Sequence, residues 1–331
     1  MSGPAGYRGQ GQGRHWASIN EISFVAGMRA LFWIARVCGR WPFRIVLYPV
    51  LGWYLLTKPL PRNASRDYLR RVAQHGGAPA RLSTLAHFAA FAENILDKML
   101  LWGGLYPTDR VRFFGTDVIA AALARGEGGV LLCSHLGNLE LCRVLSRQRN
   151  DMQVTVLVHT KHAQAFNRML AKLNPDSQLN LMQVTEMSPA TAMLLTDKVA
   201  RGEFVVIAGD RIPVSPNPRV AVADFMGAPA PFPVGPYILA GILQCPIYLL
   251  FNVHTADGAE VHFEFFRDTV RVPRGQRDAA LAALAGAYAQ RLEHHCLRAP
   301  LQWFNFYDFW HLPTSGKAPG ATDMDNHDAP R

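Results

Sequence analysis

From residue 111 onward, short apolar runs rich in β-branched and aromatic residues alternate with longer segments of helical periodicity. The strand-like runs are VRFFG, GVLLCS, QVTVLVH, LNLMQV, EFVVIAG, PIYLLFNV and VHFEFF. The helix-like segments are DVIAAALARG, NLELCRVLSRQR, AQAFNRMLAKL, ATAMLLTDKVARG and residues 277–297. This alternation predicts an α/β fold, with a mainly parallel mixed sheet that helices cover on both faces. In such sheets, functional side chains gather at the carboxyl ends of the strands.

Two apolar segments precede this region. Residues 82–104, LSTLAHFAAFAENILDKMLLWGG, have the periodicity of an amphipathic helix, with Ser83 or Thr84 as its N-cap. Residues 22–56 are apolar as well, but several arginines and Pro42 interrupt them too often for a confident membrane-spanning helix. We therefore predict membrane-associating helices over residues 15–60 and one α/β domain over residues 61–312. The Gly-rich residues 1–14 and the polar residues 313–331 are predicted to be disordered.

The positive charge of the chain is concentrated near its N-terminus. The net charge is +9, and residues 1–72 contain eleven Lys or Arg against two Asp or Glu, so the rest is neutral. Arginines 29, 36, 40 and 44 fall within about 80° of one another on a helical projection. A basic stripe on an apolar helix is typical of an interfacial helix lying on anionic lipid headgroups. Two alternatives stay open: the solvated face of a core helix, and a single membrane-spanning anchor.

Other classes of protein fit the composition less well. The five cysteines form no CxxC pair, which argues against a disulfide framework and a zinc ribbon. The pairs in HTKH (159–162) and EHHC (293–296) have no matching ligands at zinc-like spacing, so we predict no metal site. The basic residues are interleaved with apolar ones rather than gathered on a polar arm, which favours a membrane surface over nucleic acid.

The run VLLCSHLGNLE (130–140) contains the most chemically suggestive pair of residues. His135 ends a strand-like run, Gly137 permits a tight turn, and Asn138 is a good N-cap for the segment that follows. Residues five positions apart lie about 140° apart on a helix, so His135 and Glu140 can meet only if His135 precedes the helix. Glu140 would then orient the imidazole as a general base. Because no G-x-S-x-G elbow is present, the expected nucleophile is a substrate hydroxyl.

Taken together, several blocks carry a more specific signal than this pair alone. GTDVIAAALARGEGGVLLCSHLGNLE resembles the acyltransferase block of the lipid A late acyltransferases, a branch of the lysophospholipid acyltransferase superfamily. GEFVVIAGDRIPV (202–214) is similar to the family's strand ending in an Asp-containing turn. FMGAPAPFPVGPYILAGILQCPIYLLF (225–251) is similar to its F-x-G-x-P and P-x-G-P block, and PLQW (300–303) to its P-x-Q-W. The resemblance covers roughly residues 20 to 310.

The resemblance implies acyl transfer from an acyl carrier protein thioester to a hydroxyl of a membrane lipid or glycolipid. His135 is then the general base, Glu140 its orienter, and backbone amides near Gly137 and Asn138 stabilise the oxyanion. The phosphopantetheine arm arrives on the carrier protein, so no cofactor or metal is expected. The implied location is the cytoplasmic face of a bacterial inner membrane.

Further site residues are predicted with an alternative for each. Asp210 and Arg211 would bind the acceptor headgroup or the phosphopantetheine phosphate, or else form an internal ion pair at a strand end. Phe225 and Phe232 would line the acyl pocket, or else pack in the core. Gly227 is predicted to contribute to substrate binding, or else only to shape the backbone of a turn.

Two departures from the family pattern bear on the acceptor. Asn174-Pro175 stands where the family has an arginine-containing turn, and QWFNFYDFW lacks the basic residue that follows Q-W. The chain thus resembles the predicted acyltransferases of aryl-polyene and related glycolipid clusters more than the lipid A enzymes themselves. Two alternatives stay open: an acyl-CoA-dependent glycerophospholipid acyltransferase, and a non-enzymatic membrane lipid carrier of the same fold.

Overall fold

A computed structural model of the chain describes residues 33–34, 36–76, 82–142, 152–158, 180–183, 188–213, 218–271 and 274–313. The predicted disordered segments, residues 1–14 and the tail from residue 314, lie outside these ranges. So do the HTKH pair and the AQAFNRMLAKL segment.

Seven helices have both ends within the described part of the chain. They are α1 (Arg40–Thr57), α2 (Pro59–Gln74), α3 (Thr84–Trp102), α4 (Thr116–Ala124), α5 (Pro189–Ala200), α6 (Gly235–Leu243) and α7 (Arg277–Arg298). Short 3₁₀ turns lie at Thr108–Arg110, Leu139–Leu141, Arg274–Gln276 and Pro300–Gln302. The predicted cap of α3 is confirmed, because Ser83 Oγ accepts a hydrogen bond from Ala86 N at 3.1 Å.

All seven predicted strands form one sheet. They are β1 (Val111–Phe114), β2 (Gly129–Cys133), β3 (Val154–Val158), β4 (Asn180–Gln183), β5 (Phe204–Ala208), β8 (Ile247–Thr255) and β9 (Gly258–Arg267). The strand order is β1-β9-β8-β2-β5-β3-β4, and only the β8–β9 pair is antiparallel. The predicted mainly parallel α/β sheet is therefore confirmed.

The central strands are buried on both faces, which explains their continuous apolar runs. In β2, Val130 and Leu132 belong to the core on one face of the sheet, while Leu131 and Cys133 belong to the core on the other. Strands β5 and β8 alternate in the same way. Strand β2 lies between β5 and β8, so the carboxyl end of β2 is flanked by the equivalent end of β5.

A two-stranded hairpin outside the main sheet was not predicted. It consists of β6 (Val220–Phe225) and β7 (Ala228–Pro233), joined by Met226 and Gly227 with φ of 51° and 70°. Two consecutive residues with positive φ form the tight turn that suits a hairpin, which accounts for Gly227. Prolines along β7 obscured the strand pattern. Phe225 and Phe232 lie fully buried in the core, in agreement with the packing alternative. Their contribution to an acyl pocket stays a prediction.

The first helices form a layer with its own apolar core. Phe43, Leu47 and Leu51 of α1 pack against Phe88 and Leu96 of α3. None of the helices in the described ranges is both long enough and apolar enough to cross a membrane.

The arginines of α1 do not form the free basic stripe that the sequence predicts. Arg44 pairs with Glu93 at 2.6 Å, and Arg40 pairs with both Glu93 and Asp97. These two arginines therefore face acidic residues of α3 instead of headgroups. The outward surface of α1 is apolar: Trp41, Trp53 and Leu56 are 74%, 70% and 75% exposed.

Candidate active site

His135 lies two residues beyond the end of β2, on a turn that only glycine completes. Gly137 has φ of +63°, and a Cβ built on it would come within 2.2 Å of the Asn252 carbonyl oxygen on β8. A larger residue would push the turn off the sheet. Asn138 then caps the 3₁₀ turn, as predicted, by accepting a hydrogen bond from Glu140 N at 3.1 Å. The His135 side chain is 29% exposed, so substrate can reach it.

Asp210 holds the imidazole. It follows β5, whose continuation is tied to β2 by a 2.8 Å hydrogen bond from Gly209 N to Cys133 O. Asp210 Oδ1 lies 2.8 Å from His135 Nδ1, and Asp210 Oδ2 accepts from the His135 backbone N, also at 2.8 Å. A carboxylate only accepts hydrogen bonds, so His135 Nδ1 donates and Nε2 keeps its lone pair. This arrangement orients a general base.

Two more donors complete the surroundings of this carboxylate. Trp303 Nε1 donates to Asp210 Oδ2 at 2.9 Å, and Asn305 Nδ2 does so at 3.2 Å. Burial alone would raise the pKa of Asp210, but His135 and the hydrogen bonds outweigh it and hold the pKa below its ordinary value. Asp210 therefore carries its charge at neutral pH.

The structure revises the predicted role of Asp210. The side chain is fully buried and directed at His135, so it is not available to bind a headgroup or a phosphate. It also contacts the imidazole at Nδ1, and a carboxylate that orients the imidazole is what we predicted Glu140 to be. A catalytic role of Glu140 itself stays a prediction.

His135 and Asp210 form a hydrogen-bonded dyad. Arg211 lies beside this dyad but is held by the segment that follows α7. Its Nε donates to Asn305 Oδ1 and its Nη2 to Phe304 O, both at 2.8 Å. The predicted internal ion pair with Asp210 is replaced by these contacts, although the Asp210 charge still raises the pKa of Arg211 against the larger lowering effect of burial. Binding of a phosphate by Arg211 stays a prediction.

Lys98 is a site residue that the sequence analysis missed. It lies on α3, which packs against the 3₁₀ turn that carries Glu140. Burial lowers the pKa of Lys98, and the charge of Glu140 opposes that effect. The only sequence signal was one lysine in the apolar run NILDKMLLW, which also fits a snorkelling surface lysine.

His135 itself is kept neutral at physiological pH. Burial lowers its pKa first, the charge of Arg211 adds to the effect, and Lys98 contributes as well, while Asp210 opposes them. A neutral imidazole with Nε2 unprotonated is the form that accepts a proton.

One backbone amide of the predicted oxyanion hole is already engaged. Gly137 N donates to Gln302 O at 2.9 Å, so this amide bonds within the protein instead of pointing at substrate. The Gly137 amide is therefore not free to donate to an oxyanion in this structure, and stabilisation by other backbone amides nearby stays a prediction. Participation of Asn138 stays a prediction.

Comparison with known proteins identifies the family of this chain. The family model for bacterial lipid A biosynthesis acyltransferases matches residues 105–311, more than half of the chain. The chain belongs to this family. The match includes both members of the Asp–His dyad and the PLQW segment, and it confirms the resemblance found in the sequence. The protein is therefore an acyltransferase of the lipid A biosynthesis family.

Two curated relatives extend the comparison. The chain is 25% identical over 288 residues to the phosphatidylinositol mannoside acyltransferases of Mycobacterium tuberculosis strains H37Rv and CDC 1551. Each alignment covers 78% of this chain and 86% of the relative. Their similarity therefore extends beyond the matched family region.

Proposed function

We propose that the enzyme transfers an acyl chain from acyl carrier protein to a hydroxyl of a membrane lipid or glycolipid. The observation that carries the proposal is the dyad: Asp210 holds His135 Nδ1 at 2.8 Å and leaves Nε2 to act as the base, on a side chain that is 29% exposed. The resemblance to late acyltransferases supports the carrier-protein donor. The names of the mycobacterial relatives support a glycolipid acceptor.

In this mechanism, His135 acts first as the general base and then as the general acid. Its Nε2 takes the proton of the acceptor hydroxyl while that oxygen attacks the thioester carbonyl carbon. The tetrahedral intermediate then collapses, the carbon–sulfur bond breaks, and Nε2 returns the proton to the departing phosphopantetheine thiolate. Asp210 stabilises the transient imidazolium and stays ionised throughout. These steps use protein side chains and the two substrates alone, so no cofactor is invoked.

The positive neighbours of the dyad suit this chemistry. Burial is the largest cause of the lowered pKa of His135, and Arg211 and Lys98 add to it, so that the base is unprotonated before substrate binds. Their positive charge also favours the negative charge that develops on the thioester oxygen in the transition state. Glu140, whose charge acts on Lys98, would help to hold that ammonium group in place.

We further propose that the outward surface of α1 binds the cytoplasmic face of the inner membrane. Indole rings and aliphatic side chains that project from one helix suit the headgroup boundary of a bilayer. Because Arg40 and Arg44 are paired with α3, apolar insertion, rather than attraction to anionic lipid, would supply most of the binding energy. Binding should then depend weakly on salt.

The membrane proposal has a matched test. Vesicles of phosphatidylethanolamine and phosphatidylglycerol should bring down the wild type in a flotation assay, but not a Trp41→Ser/Trp53→Ser variant. A Met193→Ser/Phe265→Ser variant removes two exposed apolar side chains elsewhere and serves as control. Equal binding by all three proteins would refute the role of α1.

The enzymatic proposal is tested by following radiolabelled acyl groups into total membrane lipid. Acyl carrier protein and coenzyme A thioesters are compared as donors, with His135→Ala as the inactive control. We expect label in one lipid class, dependent on His135, with the carrier protein as the better donor. Preference for coenzyme A would favour the glycerophospholipid-type alternative for the donor. Absence of His135-dependent transfer with both donors would refute the proposal.

A further inference from the structure

The segment after α7 contacts both the turn that carries His135 and the residue Asp210 after β5. Phe304 N donates to His135 O, and Gly137 N donates to Gln302 O, each at 2.9 Å. Between them, Leu136 and Trp303 form an antiparallel bridge. The segment therefore pairs with the His135 turn in the manner of a short extra strand, which holds the backbone of the base from both sides.

Side chains of the same segment hold the Asp210 carboxylate. Trp303 Nε1 and Asn305 Nδ2 both donate to Oδ2, and Asn305 Nδ2 also reaches the Asp210 carbonyl oxygen at 3.2 Å. With the His135 backbone N, three N–H groups converge on Oδ2, and Oδ1 faces the imidazole. Trp303 and Asn305 are almost fully buried, so water does not compete for these contacts.

Residues of helices α2 and α3 contact Trp303 and hold it in place. His87 Nε2 lies 2.9 Å from Trp303 O, and Ser65 Oγ lies 2.9 Å from His87 Nδ1. The Tyr68 ring packs on the indole, with the ring centroids 4.9 Å apart. Ser65, His87 and Tyr68 are all fully buried. The indole therefore has little freedom to move relative to Asp210.

We infer that Trp303 and Asn305 are positioning residues, which bind Oδ2 of Asp210 and thereby direct Oδ1 toward His135. The catalytic consequence rests on the proposed role of His135 as the base. Trp303 is the last residue of the PLQW segment, so this segment contributes to positioning Asp210. In the sequence, the segment was recognised only as part of a family resemblance. Neither residue touches the reacting atoms; both act through Asp210.

The inference predicts a change that a purely structural role would not produce. Trp303→Phe removes one N–H donor but keeps a ring in the core. With fewer donors the carboxylate becomes more basic and stabilises the imidazolium better, so the pKa of His135 should rise, by roughly half a unit or more. The other charged groups that act on His135, Lys98 and Arg211, are unchanged. We expect kcat to fall about 10- to 100-fold, as for other residues that support a catalytic group, with KM nearly constant.

Trp310→Phe is the matched control. Trp310 belongs to the same aromatic cluster, 6.2 Å from Trp303 between ring centroids, and its Nε1 donates to the Phe225 carbonyl oxygen at 3.0 Å. The Trp310→Phe variant thus removes an indole hydrogen bond but leaves the donors to Asp210 unchanged. Asn305→Ser is a second variant that removes a donor to Oδ2 and leaves the aromatic core intact. It also removes the acceptor of Arg211 Nε, while Phe304 O still holds the guanidinium through Nη2.

The primary measurement is the pKa of His135 by NMR on histidine-labelled, substrate-free protein, with His135→Gln to assign the signal. A rise in Trp303→Phe and Asn305→Ser, but not in Trp310→Phe, is the expected result. The same pKa in all proteins, or an equal rise in Trp310→Phe, would overturn the inference. This readout needs no turnover, so it is distinct from a failure of the proposed function, which would show as absent acyl transfer by the wild type.

Discussion

Replacement of Asp210 by asparagine puts one NH₂ group and one carbonyl oxygen where two carboxylate oxygens now accept hydrogen bonds. Three N–H donors converge on Oδ2, from the His135 backbone, Trp303 and Asn305, whereas Oδ1 has one partner, His135 Nδ1. The amide oxygen should therefore take the Oδ2 position, and the NH₂ group should face the imidazole. His135 Nδ1 must then accept, and the proton moves to Nε2. The base loses the lone pair that it needs.

The size of the effect follows from this forced change of tautomer. In a serine protease, the equivalent Asp-to-Asn change lowers kcat about 10⁴-fold for the same reason, and we expect a loss of about 10³- to 10⁴-fold here. Folding should survive, because three of the four hydrogen bonds to the side chain keep an acceptor. Circular dichroism and thermal unfolding check that point.

The assay is acyl transfer, measured side by side for the wild type, Asp210→Asn and Glu140→Gln. The pair of variants separates the two carboxylates, since Glu140 was predicted to orient the base and Asp210 is the group found on Nδ1. If Asp210→Asn retained more than about a tenth of wild-type kcat, the loss would be far smaller than expected. The reasoning would then be refuted. A larger loss in Glu140→Gln than in Asp210→Asn would return the orienting role to Glu140.

Three further predictions concern the neighbourhood of the dyad. Lys98→Met removes a positive charge that lowers the pKa of His135, so the acid limb of the kcat/KM profile should move to higher pH; an unchanged limb would contradict this. Gly137→Ala should destabilise the fold by more than about 2 kcal/mol in denaturant titrations, because φ is +63° and the new Cβ would meet the Asn252 carbonyl. His87 is buried with its pKa lowered to about 4, so the unfolded chain binds more protons between pH 4 and 6.5. The wild type should then lose about 3 kcal/mol of stability as pH falls through that range, whereas His87→Gln, measured by the same titrations, should not lose this part.

Much of the fold could be predicted because its signals are local. The central strands of the main sheet are short apolar runs, since burial on both faces requires them. The cap of α3 also depends on neighbouring residues alone, and the turn after His135 was marked in the sequence by Gly137 and Asn138. The hairpin β6–β7 escaped prediction, because its prolines mask the alternation by which a strand is recognised.

The sequence by itself determined the class of fold, the family and the position of the base at a strand end. It did not determine the partner of that base. Asp210 is 75 residues away from His135 and Trp303 is 93 residues from Asp210, so their meeting depends on β5 lying beside β2 and on the return of the chain after α7. Arg40 and Arg44 likewise face α3 because of helix packing. Strand order and helix docking arise from the sum of many weak apolar contacts, and no short motif encodes that sum.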